Sequence, residues 1–303
     1  MGPIDMSVQL GPLRLKNPVL VASGTFGYGL EHDDLCDAAA LGGVCTKGLS
    51  LEPREGNPPP RICETPAGML NAIGLANVGV EAFCRDKLPV LRARGVTVVA
   101  NVFATSVDDF ARLAARLDRE PGVAALELNI SCPNVAHGGL EFGRDPAAAA
   151  RVTAAVRAAT RLPLWVKMSP EAGDLGAVAR ACEQAGADAL SAINTIRGMA
   201  IDVDSWRPML ANRTGGLSGP AIRPLAVRIV WELGRAVRIP IVGIGGVASG
   251  RDAVELMLAG ASAVQVGTAS FVEPTAPARV LAELGAYCHK GGLAPRELVG
   301  KVR

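Results

Sequence analysis

Eight short apolar segments, separated mainly by segments with helical patterning, predict an α/β protein built as a closed (β/α)8, or TIM, barrel. Hydrophobic residues make up 49% of the chain and aromatic residues only 4%, so aliphatic side chains must supply most of the packing. Alternation of strands and helices implies a parallel sheet, and eight such units imply that this sheet closes on itself. We expect a single domain over residues 1–303.

The predicted strands and helices alternate along the whole chain. The strands are 19–22, 43–48, 97–102, 123–130, 164–168, 189–193, 241–244 and 263–266. The helices are 31–40, 79–94, 107–117, 146–160, 175–184, 221–237, 251–258 and 276–287. Asp145 and Pro146 form a helix start, with an N-cap residue before a proline at the first helical position, and Gly186 is a stop signal.

Two long stretches without periodicity interrupt this alternation, at 49–77 after the second strand and at 197–218 after the sixth. The first stretch contains several prolines and ends in a segment, 71–75, that combines one amide with apolar residues. Connections of this length inside a compact domain tend to be lids or binding loops. We therefore expect long active-site loops after strands two and six, at one mouth of the barrel.

Charge and cysteine content exclude several classes of function. With 31 basic and 29 acidic residues and no basic run, nothing favours nucleic acid or an anionic membrane as partner. The seven cysteines form no CxxC pair, which argues against a metal or iron-sulfur site and favours free thiols in a reducing cytosol. No signal or membrane-spanning segment is evident. We expect a cytoplasmic protein that acts on a small molecule.

A polar residue or a glycine pair stands at the carboxyl end of each predicted strand, where barrels of this kind carry their sites. Any one of them could simply cap a strand, but eight at one mouth predict a ligand site. The glycines after strands seven and eight predict binding of a phosphorylated ligand. The residues are Ser23, Lys47, Asn101, Asn129 with Cys132, Lys167, Asn194 with Thr195, Gly245 with Gly246, and Gly267 with Thr268.

Cys132 lies just beyond the fourth predicted strand, because Pro133 cannot continue a central strand. A thiol on a loop next to glycines at 138 and 139 is a candidate catalytic group. Cysteine is also among the most buried residue types and often acts as a small hydrophobe. The segment itself leaves both interpretations open.

Several motifs together resemble dihydroorotate dehydrogenases, and more narrowly the catalytic subunit of the class 1B, NAD-linked enzymes. The resemblance covers essentially the whole chain, although Ala76 and Val78 replace the glutamine and proline expected after the 71–75 segment. The motifs are residues 22–29 and 46–48, Gly56-Asn-Pro-Pro-Pro-Arg61, Asn71-Ala-Ile-Gly-Leu75, Asn129-Ile-Ser-Cys-Pro-Asn134, residues 166–170, Asn194-Thr195 and Thr214-Gly-Gly-Leu-Ser-Gly-Pro220.

The resemblance implies a role for each matching residue, with Cys132 as the base that takes a proton from C5 of dihydroorotate while a hydride passes from C6 to FMN. FMN would be bound by Ser23, Lys47, Gly48, Asn101, Asn129, Lys167, Ile193, Gly219, Gly245, Gly246, Gly267 and Thr268. The substrate would be bound by Lys47, Asn71, Ala72, Ile73, Gly74, Leu75, Asn129, Asn194 and Thr195. Lys47 would pair with the substrate carboxylate, and Lys167 would stabilise the charge of the reduced flavin.

The resemblance also implies a homodimer that joins a subunit carrying FAD and a 2Fe-2S cluster, in a heterotetramer that reduces NAD. Within enzymes, a class 1A dehydrogenase that uses fumarate and a dihydropyrimidine-type reductase remain as alternatives. Outside catalysis, a phosphate-ligand-binding barrel with a structural Cys132 remains.

Overall fold

The computed structural model of the protein describes residues 4–32, 34–131, 133–134 and 140–303, and its centre is a closed barrel of eight parallel strands. Each strand pairs with the next along the chain, and the eighth pairs with the first, with Val264 opposite Val19. The predicted fold class is confirmed. In order, barrel strands one to eight are Val19–Val21, Gly43–Cys45, Val98–Val102, Val123–Asn129, Leu164–Lys167, Ala189–Ala192, Ile241–Ile244 and Ala261–Val266.

Helices follow the barrel strands and bury their apolar faces against them. Several begin at the residues expected from capping: the Asp145 carboxylate accepts a hydrogen bond from Ala148 N, and Ser249 forms a capping box with Asp252. The α-helices are Val80–Ala82, Leu88–Ala93, Val107–Leu117, Pro146–Ala159, Leu175–Gln184, Arg223–Ala236, Gly250–Ala259, Ala269–Val272 and Ala276–Gly291. Short 3-10 turns occur at Ala38–Ala40, Phe142–Arg144, Pro220–Ile222 and Pro295–Glu297.

The first two predicted helices differ from the structure. Among the described residues of 31–40, only Ala38–Ala40 is helical, because Glu31 accepts hydrogen bonds from the backbone N–H groups of Tyr28 and Leu30 and holds a turn instead. The predicted helix 79–94 is interrupted by a π turn at Phe83–Lys87. Pro89, two residues beyond the π turn, lacks the N–H that would donate a regular α-helical hydrogen bond to the carbonyl of residue 85.

The two long stretches expected to lack regular structure instead form a joint sheet, which we call the cap sheet. Its antiparallel strands are, in spatial order, Ile196–Gly198, Gly215–Ser218, Gly68–Asn71 and Ile62–Thr65. Gly216 pairs with Asn71, so the loop after strand two is hydrogen-bonded to the loop after strand six. Leu70, Ala72 and Leu210 form a small separate core there. A further two-residue pair, Ile201–Asp202 with Arg207–Pro208, extends the second loop.

An N-terminal hairpin of strands Val8–Leu10 and Leu13–Leu15, absent from the sequence prediction, packs against the barrel interior. Its apolar residues join a core layer to which every barrel strand contributes one inward side chain: Leu20, Cys45, Val99, Ala125, Trp165, Ala189, Val242 and Ala263. Most of these residues lie in the first half of their strands, so the hairpin closes the end of the barrel opposite the mouth. Two short strands, Pro133–Asn134 and Leu140–Glu141, also pair. No helix in the described residues is long and apolar enough to cross a membrane.

Candidate active site

The barrel interior changes from apolar to polar two residues closer to the mouth. Because side chains alternate across a strand, the inward positions that follow Val99, Ala125, Trp165, Ala189 and Ala263 are two residues further on. These positions are polar and buried: Asn101, Glu127, Lys167, Ser191 and Gln265. The site is therefore built on rigid strands, directly above the apolar layer.

Glu127 connects the polar layer. Asn101 Nδ2 donates a hydrogen bond to Glu127 Oε1 at 2.6 Å, and Gln265 Nε2 donates to Oε2 at 2.8 Å. Lys167 Nζ lies 3.8 Å from Oε1. Burial, and then the nearby Glu127 carboxylate, raise the pKa of the Cys45 thiol well above its ordinary value. Cys45, which belongs to the apolar layer beneath, is therefore a neutral neighbour of Glu127.

Two asparagines form a pair at the ends of strands four and six. Asn194 Nδ2 donates to Asn129 Oδ1 at 3.2 Å and to Ser131 Oγ at 3.1 Å. Asn194 Oδ1 accepts a hydrogen bond from the backbone N–H of Thr195 at 2.8 Å. These amides are half-buried and held by each other. Sequence reasoning assigned both to substrate binding, and the structure brings them together.

The predicted substrate segment 71–75 is held by the neighbouring loops. Asn71 Nδ2 donates to the carbonyl of Gly216 at 3.3 Å, and Asn57 Nδ2 donates to that of Ala72 at 2.9 Å. Gly74 has a φ of +73°, and a Cβ there would lie 2.5 Å from Asn57 N, so this close turn requires glycine. Thr195 also lies against Gly216: a Cβ on Gly216 would be 2.0 Å from the hydroxyl oxygen of Thr195. Asn71 and Thr195 thus face the same strand of the cap sheet.

Lys47 lies just beyond strand two, half-buried, with its backbone N–H donated to Gly27 O at 3.0 Å. Burial lowers the pKa of its ammonium, the nearby Arg61 lowers it further, and Glu31 partly opposes both. Arg61 is held in turn by the carbonyls of Glu55 and Asn57. Arg61 belongs to a motif recognised in the sequence but received no role there, and the structure adds it to the site's positive charge.

Glycines predicted to bind FMN come together from separate parts of the chain. Gly219, Gly245 and Gly246 have φ angles of +92°, +129° and +71°. A Cβ on Gly246 would lie 2.6 Å from Arg223 Cβ and 3.0 Å from the carbonyl oxygen of Gly219. Side chains other than hydrogen are therefore excluded at these turns. Thr268 Oγ1 donates to Ser218 Oγ at 2.8 Å, which connects the end of strand eight to the same place.

The remaining predicted flavin residues lie around this cradle and the polar layer. Ile193 is buried, donates its N–H to Ile244 O at 2.9 Å, and is adjacent to Gly245. Gly48 lies beside Asn101, where a Cβ would be 3.0 Å from Oδ1. Ala22 donates its N–H to Val266 O at 2.8 Å. Ser23 and Gly267 are the next residues along these two strands, so they leave the barrel side by side.

Cys132, the predicted base, lies outside the described residues, so its role stays a prediction. Of the residues around it, Ser131 is described and accepts its hydrogen bond from Asn194. Sequence reasoning missed Glu127 and Gln265, although each is a polar residue between apolar neighbours in a buried strand, which is an informative signal. Within the described part of the chain, no group of three or more His, Cys, Asp or Glu side chains is arranged to hold a metal ion.

Comparison with known proteins gives consistent matches. The profile of the family described as Dihydroorotate dehydrogenase matches residues 6–287. The chain is 57% identical over 289 residues to a protein of Trichlorobacter lovleyi, covering 95% of each chain. It is 55% identical over 297 residues to one of Geobacter sulfurreducens, covering 98% of this chain and 97% of the relative. Both relatives are named dihydroorotate dehydrogenase B (NAD(+)), catalytic subunit.

A protein of Geotalea daltonii with the same name is 53% identical over 304 residues, which cover 100% of both chains. The similarity therefore extends through the barrel, both loops of the cap sheet and the N-terminal hairpin. These matches confirm the resemblance and the oxidoreductase class inferred from the motifs: the chain belongs to the dihydroorotate dehydrogenase family.

Proposed function

We propose that the chain oxidises (S)-dihydroorotate to orotate in de novo pyrimidine biosynthesis, with FMN bound in the barrel mouth and NAD as the final electron acceptor. The observation that carries the proposal is the division of one mouth into two parts. One part is the glycine cradle of Gly219, Gly245 and Gly246, and the other is the amide pair of Asn129 and Asn194. A phosphorylated cofactor requires a site such as the cradle, and a flat polar substrate requires amide groups such as those of the pair.

The residues present fit FMN. The cradle exposes backbone at positions where a Cβ would collide, as close approach of a phosphate requires. Asn101 Oδ1 is buried without a hydrogen-bond partner among the described residues, and the Lys167 side chain is only 9% exposed. The Asn101 oxygen could therefore act as an acceptor, and the Lys167 ammonium as a cation, for the polar edge of a flavin ring. When bound, FMN supplies the two-electron acceptor for the hydride that leaves C6.

The chain's own residues would bind and orient the substrate. Lys47, whose ammonium lies near Arg61, would pair with the carboxylate of dihydroorotate. Asn129, Asn194 and Asn71 would present amide donors and acceptors to the ring's own amide groups. Segment 71–75 and Thr195 would cover the substrate from the cap sheet and restrict water. This arrangement holds the reacting carbons in one orientation, which is a large part of catalysis.

Proton removal from C5 would fall to Cys132. The C5–H bond breaks with its proton passing to the cysteine, a hydride leaves C6, and the C5–C6 double bond of orotate forms from the remaining electron pair. General-base catalysis of this kind contributes about 10²- to 10⁴-fold. Support for Cys132 comes from the sequence motif.

Further parts of the proposal concern assembly. The relatives are named as catalytic subunits of NAD(+) enzymes, which supports a separate partner for this chain. We propose that the partner carries FAD and a 2Fe-2S cluster, and that two copies of each subunit form a heterotetramer. We also propose that residues 1–303 form a single FMN-binding domain that works in the cytoplasm.

The test is anaerobic reduction of the purified chain by dihydroorotate. Purified protein should show flavin absorbance that bleaches on addition of dihydroorotate, and Asn194→Ala should slow bleaching strongly. Asn212, an exposed asparagine in the loop after strand six, provides a matched control, and Asn212→Ala should bleach at the normal rate. A wild-type protein without flavin absorbance, or without bleaching, would refute the proposal.

Reoxidation then distinguishes the enzyme classes. The reduced protein should reduce NAD only after co-expression with its partner subunit. Direct reoxidation by fumarate would assign it to class 1A, and reduction of uracil or thymine would assign it to dihydropyrimidine-type reductases. Binding of a phosphorylated ligand without any redox reaction would indicate that the chain is a ligand-binding barrel and not an enzyme.

A further inference from the structure

We propose that Glu127 is a positioning residue that sets the reduction potential of the flavin. Its carboxylate orients Asn101 and offsets the positive charge of Lys167, directly below the mouth. The inference rests on the proposed function, because it requires FMN at this mouth. Glu127 itself would not touch substrate or take part in proton transfer.

The position of Glu127 follows from strand geometry. Glu127 and Asn129 are successive inward residues of strand four, so their Cα atoms are about 7 Å apart along the strand. In the register of the barrel, Glu127 is opposite Asn101, and Asn129 is opposite Lys167. Glu127 is fully buried. It therefore lies one inward position below Asn129 and beside Asn101 and Lys167, all three of which are proposed to meet the flavin.

The contacts of Glu127 indicate an ionised carboxylate. Among the described residues, its partners are the amide N–H groups of Asn101 and Gln265, the Cys45 thiol, whose sulfur lies 3.9 Å from Oε2, and the Lys167 ammonium. All four can donate to the carboxylate, and of them the Cys45 sulfur alone could accept from a protonated carboxyl group; it is a weak acceptor and already accepts from Gln265 Nε2 at 3.1 Å. Charged hydrogen bonds of this kind are stronger and shorter than neutral ones, consistent with 2.6 Å to Asn101.

Glu127 also determines which atom Asn101 presents. With Nδ2 held by the carboxylate, Oδ1 is left buried and without a partner in the described part of the chain. Oδ1 faces Gly48, where even a Cβ would approach to 3.0 Å. A flavin ring has an imide N–H that needs such an acceptor. Glu127 thus supplies the reason that Asn101 offers an oxygen.

The charge of Glu127 acts on Lys167. The ammonium is nearly buried, and Glu127 is the carboxylate paired with it, at 3.8 Å. Reduction adds negative charge to a flavin, and a buried cation nearby favours it. An anion beside that cation weakens the effect. Removing the Glu127 charge should therefore favour reduced flavin, whereas removing the Lys167 charge should favour oxidised flavin.

The test measures the flavin potential by equilibration with a reference dye, independently of turnover. Glu127→Gln keeps the side-chain shape and should shift the equilibrium about tenfold or more toward reduced flavin, about 30 mV more positive for a two-electron couple. Lys167→Met should shift it at least as far in the opposite direction. Cys45→Ala removes an uncharged neighbour of Glu127 and should change the equilibrium less than twofold.

The outcomes separate the inference from the proposed function. An unchanged or more negative potential in FMN-loaded Glu127→Gln overturns the inference alone, whereas a wild-type chain that binds no FMN overturns both. Glu127→Gln leaves a buried ammonium unpaired, so this variant could fail to fold. The double variant Glu127→Gln/Lys167→Met then decides: it should fold and return to within about threefold of the wild-type equilibrium. An unfolded double variant, or one shifted as far as Lys167→Met, overturns the inference.

Discussion

Gly246→Ala tests the phosphate cradle. Gly246 has a φ of +71°, and the added Cβ would lie 2.6 Å from Arg223 Cβ and 3.0 Å from the carbonyl oxygen of Gly219. Both neighbours belong to backbone or to the stem of a side chain, so neither can yield without a shift of the chain. Gly95→Ala is a matched control: its φ is +72°, nothing lies within 4 Å of the added Cβ, and the site is remote.

The two variants should lower the unfolding free energy of the apo-protein by different amounts. A non-glycine residue in the left-handed region costs about 1–2 kcal/mol, and this cost applies to both positions. Overpacking adds about 1–3 kcal/mol at Gly246 alone. We therefore expect apo-protein destabilisation of about 1–2 kcal/mol for Gly95→Ala and about 2–5 kcal/mol for Gly246→Ala. A displaced cradle should also lose at least one charged hydrogen bond to the phosphate, and this loss should weaken FMN binding by about 1.5–3 kcal/mol.

Two assays measure these effects. Denaturant unfolding of the apo-protein gives the stability difference, and titration of FMN fluorescence gives the affinity. FMN should bind at least about tenfold more weakly to Gly246→Ala, since 1.4 kcal/mol corresponds to a factor of ten, and normally to Gly95→Ala. Equal FMN affinity in the two variants would refute the assignment of the phosphate to this cradle.

Three further predictions concern the base, the substrate carboxylate and a helix cap. Cys132→Ser should keep FMN but slow flavin reduction by dihydroorotate about 10²-fold or more in stopped flow; an unchanged rate would make Cys132 structural. Burial and then Arg61 lower the pKa of Lys47 below its ordinary 10.5, so its ammonium is lost at lower pH than usual. The KM for dihydroorotate should thus rise with pH below 10.5, and Arg61→Gln should move this rise to higher pH; an unmoved profile would exclude the coupling. Ser249→Ala should cost about 1 kcal/mol of unfolding free energy and Ser249→Gly only a few tenths, and equal losses would contradict the capping box.

The barrel was predictable because its signals are local. The helix Val107–Leu117 has the predicted bounds, with Ser106 as its cap, and the fifth strand, Leu164–Lys167, differs from the prediction by one residue. The N-terminal hairpin had a readable signal that was overlooked: apolar and polar residues alternate on both sides of Gly11. The joining of the two loops had no such signal, because the central pair of the cap sheet, Gly215–Ser218 with Gly68–Asn71, spans some 145 positions of sequence.

The same distinction applies to the site. Asn129 and Asn194 could be assigned because each lies at the carboxyl end of an apolar strand, and the structure adds that they are hydrogen-bonded to each other. Glu127 was passed over because it lies inside an apolar run, where its partners Asn101 and Gln265 come from other strands. Contacts across a barrel depend on register and closure, which no single segment reveals.

The cap sheet has a consequence for how the mouth opens. Because Asn71 and Gly216 are paired, neither loop can leave its place without breaking hydrogen bonds to the other. Opening of the mouth would therefore require one concerted displacement of the two loops rather than two independent ones. The second loop also carries Trp206, which is 87% exposed, so a partner bound to that side chain would act on a loop that is hydrogen-bonded to the other.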